Sequence, residues 1–307
     1  METIFDHISV CICTYKRPIL LLNILKKLQD QVTNDLFSYS IVVVDNDFNE
    51  TAKNTVETFK QMSSASIGYY NERKQNIAVA RNKAVDNAKG NFIAFIDDDE
   101  FPETTWLLNL YKTLAKYDAD GVLGPVKPYY PNNAPVWLIK SKLCERSTHQ
   151  TGIVLKWHET RTGNVLLRKK IFENVNNRFG SEFGRTGGED MEFFKKIIEK
   201  GMVFVWCNEA TVYEIVPPER WSKTFYVKRY LRIGGLVGEK IRKREPFHKQ
   251  LYALIKSITW ISMLSILLPC SILSGQHIYM RFITKIMYNL GLISGFLGRT
   301  IIRYRND

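Results

Sequence analysis

The 307-residue sequence contains no GxxxxGK(S/T) phosphate loop, no GxSxG nucleophile elbow and no GxGxxG turn. P-loop nucleotide hydrolysis, serine-hydrolase chemistry and the common dinucleotide fingerprint therefore have no support in it. Histidine is scarce, at five residues, and none falls in a metal-ligand spacing. The cysteines, Cys11, Cys13, Cys144, Cys207 and Cys270, are odd in number and include no CxxC pair, which argues against a zinc ribbon and a closed disulfide framework. Cys11 and Cys13 alternate along an apolar run and read as small buried thiols in a reducing compartment. The opening METIFDHISV has no basic-then-apolar signal pattern, so the body is expected to be cytosolic. Acid is nearly absent from the last third. Residues 217–307 hold 16 Lys and Arg against 4 Asp and Glu, whereas residues 1–216 hold 27 of each. The whole formal net charge of +12 thus lies in the tail. A basic nucleic-acid groove on the body is excluded, and a basic tail beside an anionic surface is the natural reading.

What is present is a globular composition, 45% hydrophobic and 24% charged. Strands are expected over 8–14, 39–45, 67–70, 91–96 and 121–126. Helices are expected from Pro18 and over 50–61, 77–88 and 103–116. The alternation implies an α/β fold, a largely parallel sheet with helices on both faces, binding ligands beyond the carboxyl ends of its strands near a switch in strand order. Three strands run out into polar clusters at 14–17, 45–47 and 97–100, which such a sheet places along one edge. Residues 127–159, with Pro128, Pro131 and Pro135, read as a long irregular loop. Beyond it come a short strand over 164–167, a helix from Glu189 to about residue 200 and strands over 203–207 and 210–214. The composition changes after Pro217 and Pro218, so the chain is divided into 1–216 and 217–307. In the tail, 219–249 is basic and helical, 257–280 carries no formal charge, and 286–298 is a second uncharged stretch. The apolar part of the first stretch, 258–273, covers roughly 24 Å as a helix, short of the ~30 Å hydrocarbon core. An in-plane or re-entrant helical pair is therefore preferred to two spans or to a buried hairpin.

Asp97, Asp98 and Asp99 form the strongest local signal. Successive carboxylates repel one another unless a cation offsets them. In extended chain Asp97 and Asp99 share one side, so together they can face Mg2+ or Mn2+ bridging a diphosphate. The competing reading is an acidic turn before a helix. Asp45 at a strand end can accept from a ring N–H or a ribose hydroxyl, or cap its own turn. Asn76 is placed to cap a helix, and Arg81 can reach phosphate or form a surface ion pair. After Gly187 and Gly188, a carboxylate at 189–190 can take a proton from a hydroxyl, or simply favour a helix start. Trp157, His158 and Trp221 can stack on sugar or pack in a core.

The segments VCICTYKRP, VVVDND, NIAVARNKAV, FIDDDEFP and FGRTGGEDMEFF, in that order, resemble family 2 glycosyltransferases over roughly residues 7–235. The likeness is to the inverting, nucleotide-sugar-dependent enzymes of the succinoglycan glucosyltransferase kind. It implies a GT-A-type, Rossmann-like catalytic domain over 1–216, with an acceptor region over about 127–216 and a C-terminal helical membrane-associating segment. Thr14, Tyr15, Asp45, Asn76, Arg81, Asp97 and Asp98 would serve the nucleotide. Asp99 with Asp97 would form a DXD pair for Mn2+ or Mg2+. Asp190 would be the catalytic base, with Glu189 the weaker candidate. Trp157, His158, Arg220 and Trp221 would meet the acceptor. The implied reaction moves one sugar from a nucleotide-sugar donor, UDP-linked, to a lipid-linked saccharide in cell-surface polysaccharide synthesis. The implied place is the cytoplasmic face of the bacterial inner membrane, peripheral or monotopic, against an anionic surface and without nucleic acid. Processive members carry Gln-x-x-Arg-Trp; here Pro217 stands in the Gln position before Arg220 and Trp221, which favours single addition. The alternative is a membrane-peripheral nucleotide-binding or scaffold protein without transfer activity.

Overall fold

The computed structural model describes residues 5–183 and 187–299. Residues 184–186 of the FGRTGGEDMEFF motif and the terminal Arg303 and Arg305 lie outside the described residues. The chain divides into two units, 1–129 with 146–215 and 130–145 with 216–307. The second unit begins within a residue of the compositional shift and also takes in 130–145, which the sequence reading kept with the acceptor region.

The first unit opens with β1 (Asp6–Thr14), α1 (Pro18–Leu28), β2 (Phe37–Asp45), α2 (Lys53–Met62), β3 (Ser66–Asn71), α3 (Ile77–Asn87) and β4 (Phe92–Phe95). Then follow β5 (Glu100–Pro102), α4 (Trp106–Tyr117), β6 (Gly121–Leu123) and β7 (Val126–Tyr129). After 130–145, which include α5 (Val136–Ser141), come β8 (Val165–Arg168), α6 (Glu189–Glu199), β9 (Phe204–Trp206) and β10 (Val212–Ile215). Seven strands pair in the order β3-β2-β1-β4-β8-β6-β9. β1 lies between β2 and β4, parallel to both, so strand order reverses there. That reversal is the switch point at which open sheets of this kind leave a crevice.

Strand alternation sorts the core onto the two faces. Val10, Ile12, Ile41 and Val43 pack with α1, α2 and α4, while Cys11, Val42 and Val44 pack with α3 and α6. Cys11 and Cys13 share the second face, as their spacing predicts, and burial pushes the Cys13 thiol up to about 12.

Two expectations are corrected. The single strand over 121–126 is two, β6 and β7, broken at Gly124 and Pro125. A Cβ on Gly124 would stand 2.2 Å from the Ala210 carbonyl oxygen, and proline donates no ladder hydrogen bond. β7 joins β5 and β10 in a separate small sheet. The region 127–159 is not all loop, because Val136–Ser141 is helical immediately after Pro135. Proline is compatible with a helix start, and the sequence reading weighed it only as a breaker.

The second unit holds α5 with three long helices, α7 (Lys223–Arg244), α8 (Phe247–Leu273) and α9 (Gln276–Phe296). Leu138 of α5 packs with Val216, Tyr226 and Met280, and Arg281 Nε donates to the Ser141 carbonyl at 2.8 Å. These contacts explain why 130–145 belongs here. α8 runs unbroken for 27 residues, so the apolar helix is longer than the 16 residues expected. Lys249 and Lys256 are carried on its first turns, and Pro269 is accommodated near its end. It is long and apolar enough to cross a membrane by length and composition, with a mean hydropathy of 1.8, and only 11% of that window is buried. α9 instead presses glycines against α7. A Cβ on Gly234, Gly238, Gly291 or Gly295 would lie within 2.0 Å of a carbonyl oxygen on the facing helix.

Candidate functional site

β1 and β4 deliver their carboxyl ends side by side, and hydrogen bonds join the polar residues that follow. Thr14 Oγ1 donates to Asp98 Oδ2 at 2.7 Å. Arg17 Nη1 donates to Asp98 Oδ1 at 3.0 Å and to Asp99 Oδ2 at 3.2 Å. Arg17 stands next to Pro18 and closes the polar run of β1, so its position in that cluster was the available signal. α3 presents the buried Arg81, whose Nη1 pairs with Glu189 Oε1 at the start of α6 and whose Nη2 lies 3.7 Å from Asp97 Oδ1. Two arginines thus offset the repulsion among the three aspartates.

The extended-chain premise behind the Asp97 and Asp99 pair does not hold. β4 ends at Phe95, and a turn over 98–99 is closed by the Glu100 N–H donating to the Asp97 carbonyl at 3.1 Å. Asp98 and Asp99 therefore both meet Arg17, while Asp97 turns toward Arg81. Asp97 and Asp99 nevertheless keep solvent access, with side chains 49% and 23% exposed, whereas Asp98 is buried at 6%. Burial raises the Asp98 carboxyl above its ordinary value, with the Thr14 hydroxyl and Arg17 pulling the other way.

The expected nucleotide residues divide into two groups. Asp45 is fully buried. Its Oδ1 accepts from the Asp47 N–H at 3.1 Å, and its Oδ2 accepts from the Ala52 N–H at 2.8 Å and the Tyr69 hydroxyl at 3.1 Å. These three internal donors are the arrangement expected of the turn-capping alternative. Asn76 caps α3 by accepting from the Ala78 and Val79 N–H groups, and its Nδ2 donates to the Ser181 carbonyl at 2.7 Å. Thr14, Asp45, Asn76 and Asp98 are thus held by the chain itself. Tyr15, Asp97, Asp99 and Asp190 remain open to solvent in part.

Glu189 is buried and ion-paired to Arg81, with its Oε2 lacking a hydrogen-bond partner among the described residues. Glu189 is thus engaged by Arg81, whereas Asp190 beside it at the helix start is part-open to solvent. Asp190 Oδ1 accepts from the Met191 N–H at 2.7 Å.

Several residues at this site escaped the sequence reading. β8 runs antiparallel to β4, with Phe95 opposite Val165, so the residues before β8 reach the same edge. A Cβ on Gly163 would stand 2.8 Å from Glu100 Oε1 and 3.1 Å from Asp97 Oδ2. Glu100 is buried opposite Glu214 in the small sheet, and Glu214 pairs with Arg146. Burial, then Asp97, push the Glu100 carboxyl well above its usual range. Burial, then Arg146, bring the Arg161 guanidinium down to about 10. Asp47 is buried with its Oδ2 lacking a hydrogen-bond partner among the described residues. Asp47 and Glu100 belong to the polar clusters that follow the strands, whereas nothing in the spacing of 146, 161 and 214 distinguishes them from surface charges.

The expected acceptor residues are divided between the two units. Trp157 and His158 form a short 3-10 turn, where Lys195 Nζ of α6 lies 5.7 Å from the Trp157 ring centroid. Arg220 and Trp221 belong to the second unit, where Trp221 Nε1 donates to the Val216 carbonyl at 2.9 Å.

Among the described residues no set of three or more His, Cys, Asp and Glu could hold a metal ion. Two exposed carboxylates still suit Mg2+ or Mn2+ when phosphate oxygens complete the shell, because these ions commonly take one or two carboxylates beside phosphate. Asp97 and Asp99 fit that description. A hard cation bound there would neutralise charge on a leaving diphosphate.

Residues 9–178 match the family model Glycosyl transferase family 2. The chain is 32% identical over 297 residues to the succinoglycan biosynthesis protein ExoM of Rhizobium meliloti, spanning 95% of this chain and 93% of that protein. It is 24% identical over 254 residues to chondroitin synthase of Escherichia coli, spanning 73% of this chain but 37% of the synthase. Among solved structures, S. aureus TarS 1–349 in complex with UDP-GlcNAc aligns at a TM-score of 0.55 with 16% identity, covering 95% of this chain and 92% of that one. GalNAc-T7 with UDP, GalNAc and Mn2+ aligns at 0.55 with 14% identity, covering 80% and 52%. At these identities the two structures establish a shared GT-A-like fold. The family match and the near full-length relative establish more: this chain is a glycosyltransferase and belongs to glycosyl transferase family 2.

Proposed function

We propose that the chain transfers one sugar from a UDP-linked donor to a hydroxyl of a lipid-linked saccharide, in cell-surface polysaccharide synthesis at the cytoplasmic membrane face. The observation that carries this reading is the group of part-open carboxylates, Asp97, Asp99 and Asp190, held beside two arginines at the sheet's switch point. The succinoglycan biosynthesis relative, similar along nearly its whole length, supports the polysaccharide setting. The UDP-sugar complex of a protein with the same fold supports the donor class. The exposed apolar α8 and the basic tail support the membrane setting.

In the reaction proposed, Asp97 and Asp99 would hold a divalent cation, which would supply positive charge against the donor diphosphate. Arg81 orients Asp97 and fixes the start of α6 through Glu189, so that Asp190 is presented to solvent. Asp190 accepts the proton of the acceptor hydroxyl as that oxygen attacks the anomeric carbon, the bond to the diphosphate oxygen breaks, and the configuration inverts. Thr14 and Arg17 keep Asp98 and Asp99 from swinging apart. Pro217 in the position of the processive Gln supports a single addition.

The test is nucleotide release across UDP- and GDP-sugars, with and without acceptor lipid extract and chelator. Asp190→Asn is expected to bind donor as the parent does and to lose transfer by about 10²–10⁴-fold. Full turnover in that variant would move the base role elsewhere, and no release from any nucleotide sugar would remove the donor assignment.

A further inference from the structure

α7, α8 and α9 line an open pocket of about 350 Å3 within the second unit, at which Lys256 and Lys285 are exposed. Its wall includes Ile241 of α7, Lys256 and Trp260 of α8, and Lys285, Tyr288 and Asn289 of α9. Among the described residues none that lines it is acidic. Lys285 Nζ lies 5.9 Å from the Trp260 ring centroid, and Lys256 Nζ lies 5.9 Å from that of Tyr252. Among the described residues neither ammonium is paired with a carboxylate, although neighbouring basic residues of the same helices are, as in Lys243 with Glu239 and Lys249 with Glu245.

Two exposed ammonium groups lining one pocket, each beside an aromatic ring and neither paired with a carboxylate among the described residues, favour an anion there. The cavity opens in the part of the molecule where α8 changes character. Lys256 is the last charged residue of that helix, and the exposed apolar residues Ile258, Ile266, Leu267, Ile272 and Leu273 follow it. A small hydrophilic anion would satisfy the lysines and leave that apolar surface uncovered. An anion attached to a hydrocarbon chain satisfies both. We infer that this cavity binds the phosphate group of one anionic lipid, whose chain continues along the apolar surface of α8. The inference rests on the membrane setting proposed above and adds to it a defined lipid site with named ligands.

The lipid could be a bulk phospholipid or an isoprenoid carrier, since both present a phosphate ester on an apolar chain. Full-length protein in neutral detergent is mixed separately with phosphatidylglycerol, an isoprenoid monophosphate and inorganic phosphate, and native mass spectrometry counts what is retained. One lipid per chain is expected from at least one lipid arm, undisplaced by inorganic phosphate, and the preferred arm identifies the source. K256Q/K285Q is expected to weaken retention by about tenfold or more, whereas K228Q/R244Q, which removes equal charge outside the wall, changes it by less than about twofold. Ala253→Trp, which fills the cavity without altering charge, is expected to weaken it as well. Equal losses in the two charge-matched variants, or undiminished binding in K256Q/K285Q, would overturn the site. Vesicle flotation separates the underlying reading: wild-type protein that fails to float on phosphatidylglycerol vesicles removes the membrane setting, whatever the detergent experiment gives for the cavity.

Discussion

Arg81 shows what a single residue contributes here. Its guanidinium is buried and faces Glu189 and Asp97 from one helix, so it neutralises two carboxylates that come from distant parts of the chain. Removing one partner of a buried pair leaves an uncompensated charge, at a cost of about 3–5 kcal/mol. Arg81→Met is expected to lower stability by that amount in urea unfolding, and Arg81→Met/Glu189→Met is expected to recover much of it. If the double variant is as unstable as the single one, the pairing is not what Arg81 supplies. The sequence already pointed to Asp97 and Glu189, which lie at element ends with a polar run, and to Arg81, which follows the helix-capping Asn76 by little more than a turn. It did not show that Glu189 is consumed by Arg81 and so yields the exposed position to Asp190. Nor did it show Asp45 turned inward, because an Asx turn and a ligand contact need the same residue type at the same strand end. Arg146, Arg161 and Gly163 were illegible for a different reason. Arg161 and Gly163 precede β8, which runs against β4, and Arg146 pairs with Glu214 in the small sheet; neither arrangement leaves a local mark in the sequence.

At the scale of elements, β1 and β2 are joined by a titrating group. His7 Nδ1 is 2.7 Å from Ser38 Oγ and Nε2 is 2.8 Å from Ser40 Oγ, and burial lowers the His7 pKa below its usual value. As pH falls through about 6.5 the unfolded chain takes up its proton first, so stability falls with pH there. Above that value both states are neutral and the effect vanishes. Wild-type protein is therefore expected to lose stability between about pH 7 and 5, and His7→Gln to lose less; equal slopes would remove the role. The strand itself was plain from the ISVCICT run, as were the parallel pairs and the helices between them, because hydrophobic periodicity is a local property. The α7 and α9 contact was not read. A Cβ on Gly238 would meet the Leu292 carbonyl oxygen at 2.0 Å and its carbonyl carbon at 2.9 Å. Backbone atoms cannot rotate away, so Gly238→Val forces the helices apart. The expected loss is at least the about 1–3 kcal/mol typical of overpacking, seen as a lower thermal midpoint. Leu236→Val, two residues away on the exposed side of the helix, is the control and is expected to leave the midpoint unchanged.

At the scale of the whole molecule, charge and apolar surface fall together in one segment. A body of zero formal net charge is continued by a tail of +12, and that tail also carries the exposed apolar helix α8. Deleting residues 251–307 would be a poor test, because removing α9 uncovers the glycine face of α7. Point charges on α8 avoid that difficulty. Ile258 and Ile266 are 55% and 76% exposed and lie outside the lipid cavity, so replacing them leaves the packing intact. An acidic side chain placed at hydrocarbon depth costs about 2.5–3.5 kcal/mol, so Ile258→Glu/Ile266→Glu is expected to abolish flotation with vesicles while nucleotide release in solution persists. The electrostatic share is separable by salt. Each Lys or Arg near an anionic leaflet contributes about 1 kcal/mol, and this falls away as the Debye length shrinks. Wild-type protein is thus expected to float less well on phosphatidylglycerol vesicles as salt rises, yet still to float, because the apolar contribution is not screened. Complete release by salt alone would mean that the basic residues hold the protein at the surface and that α8 never enters the hydrocarbon.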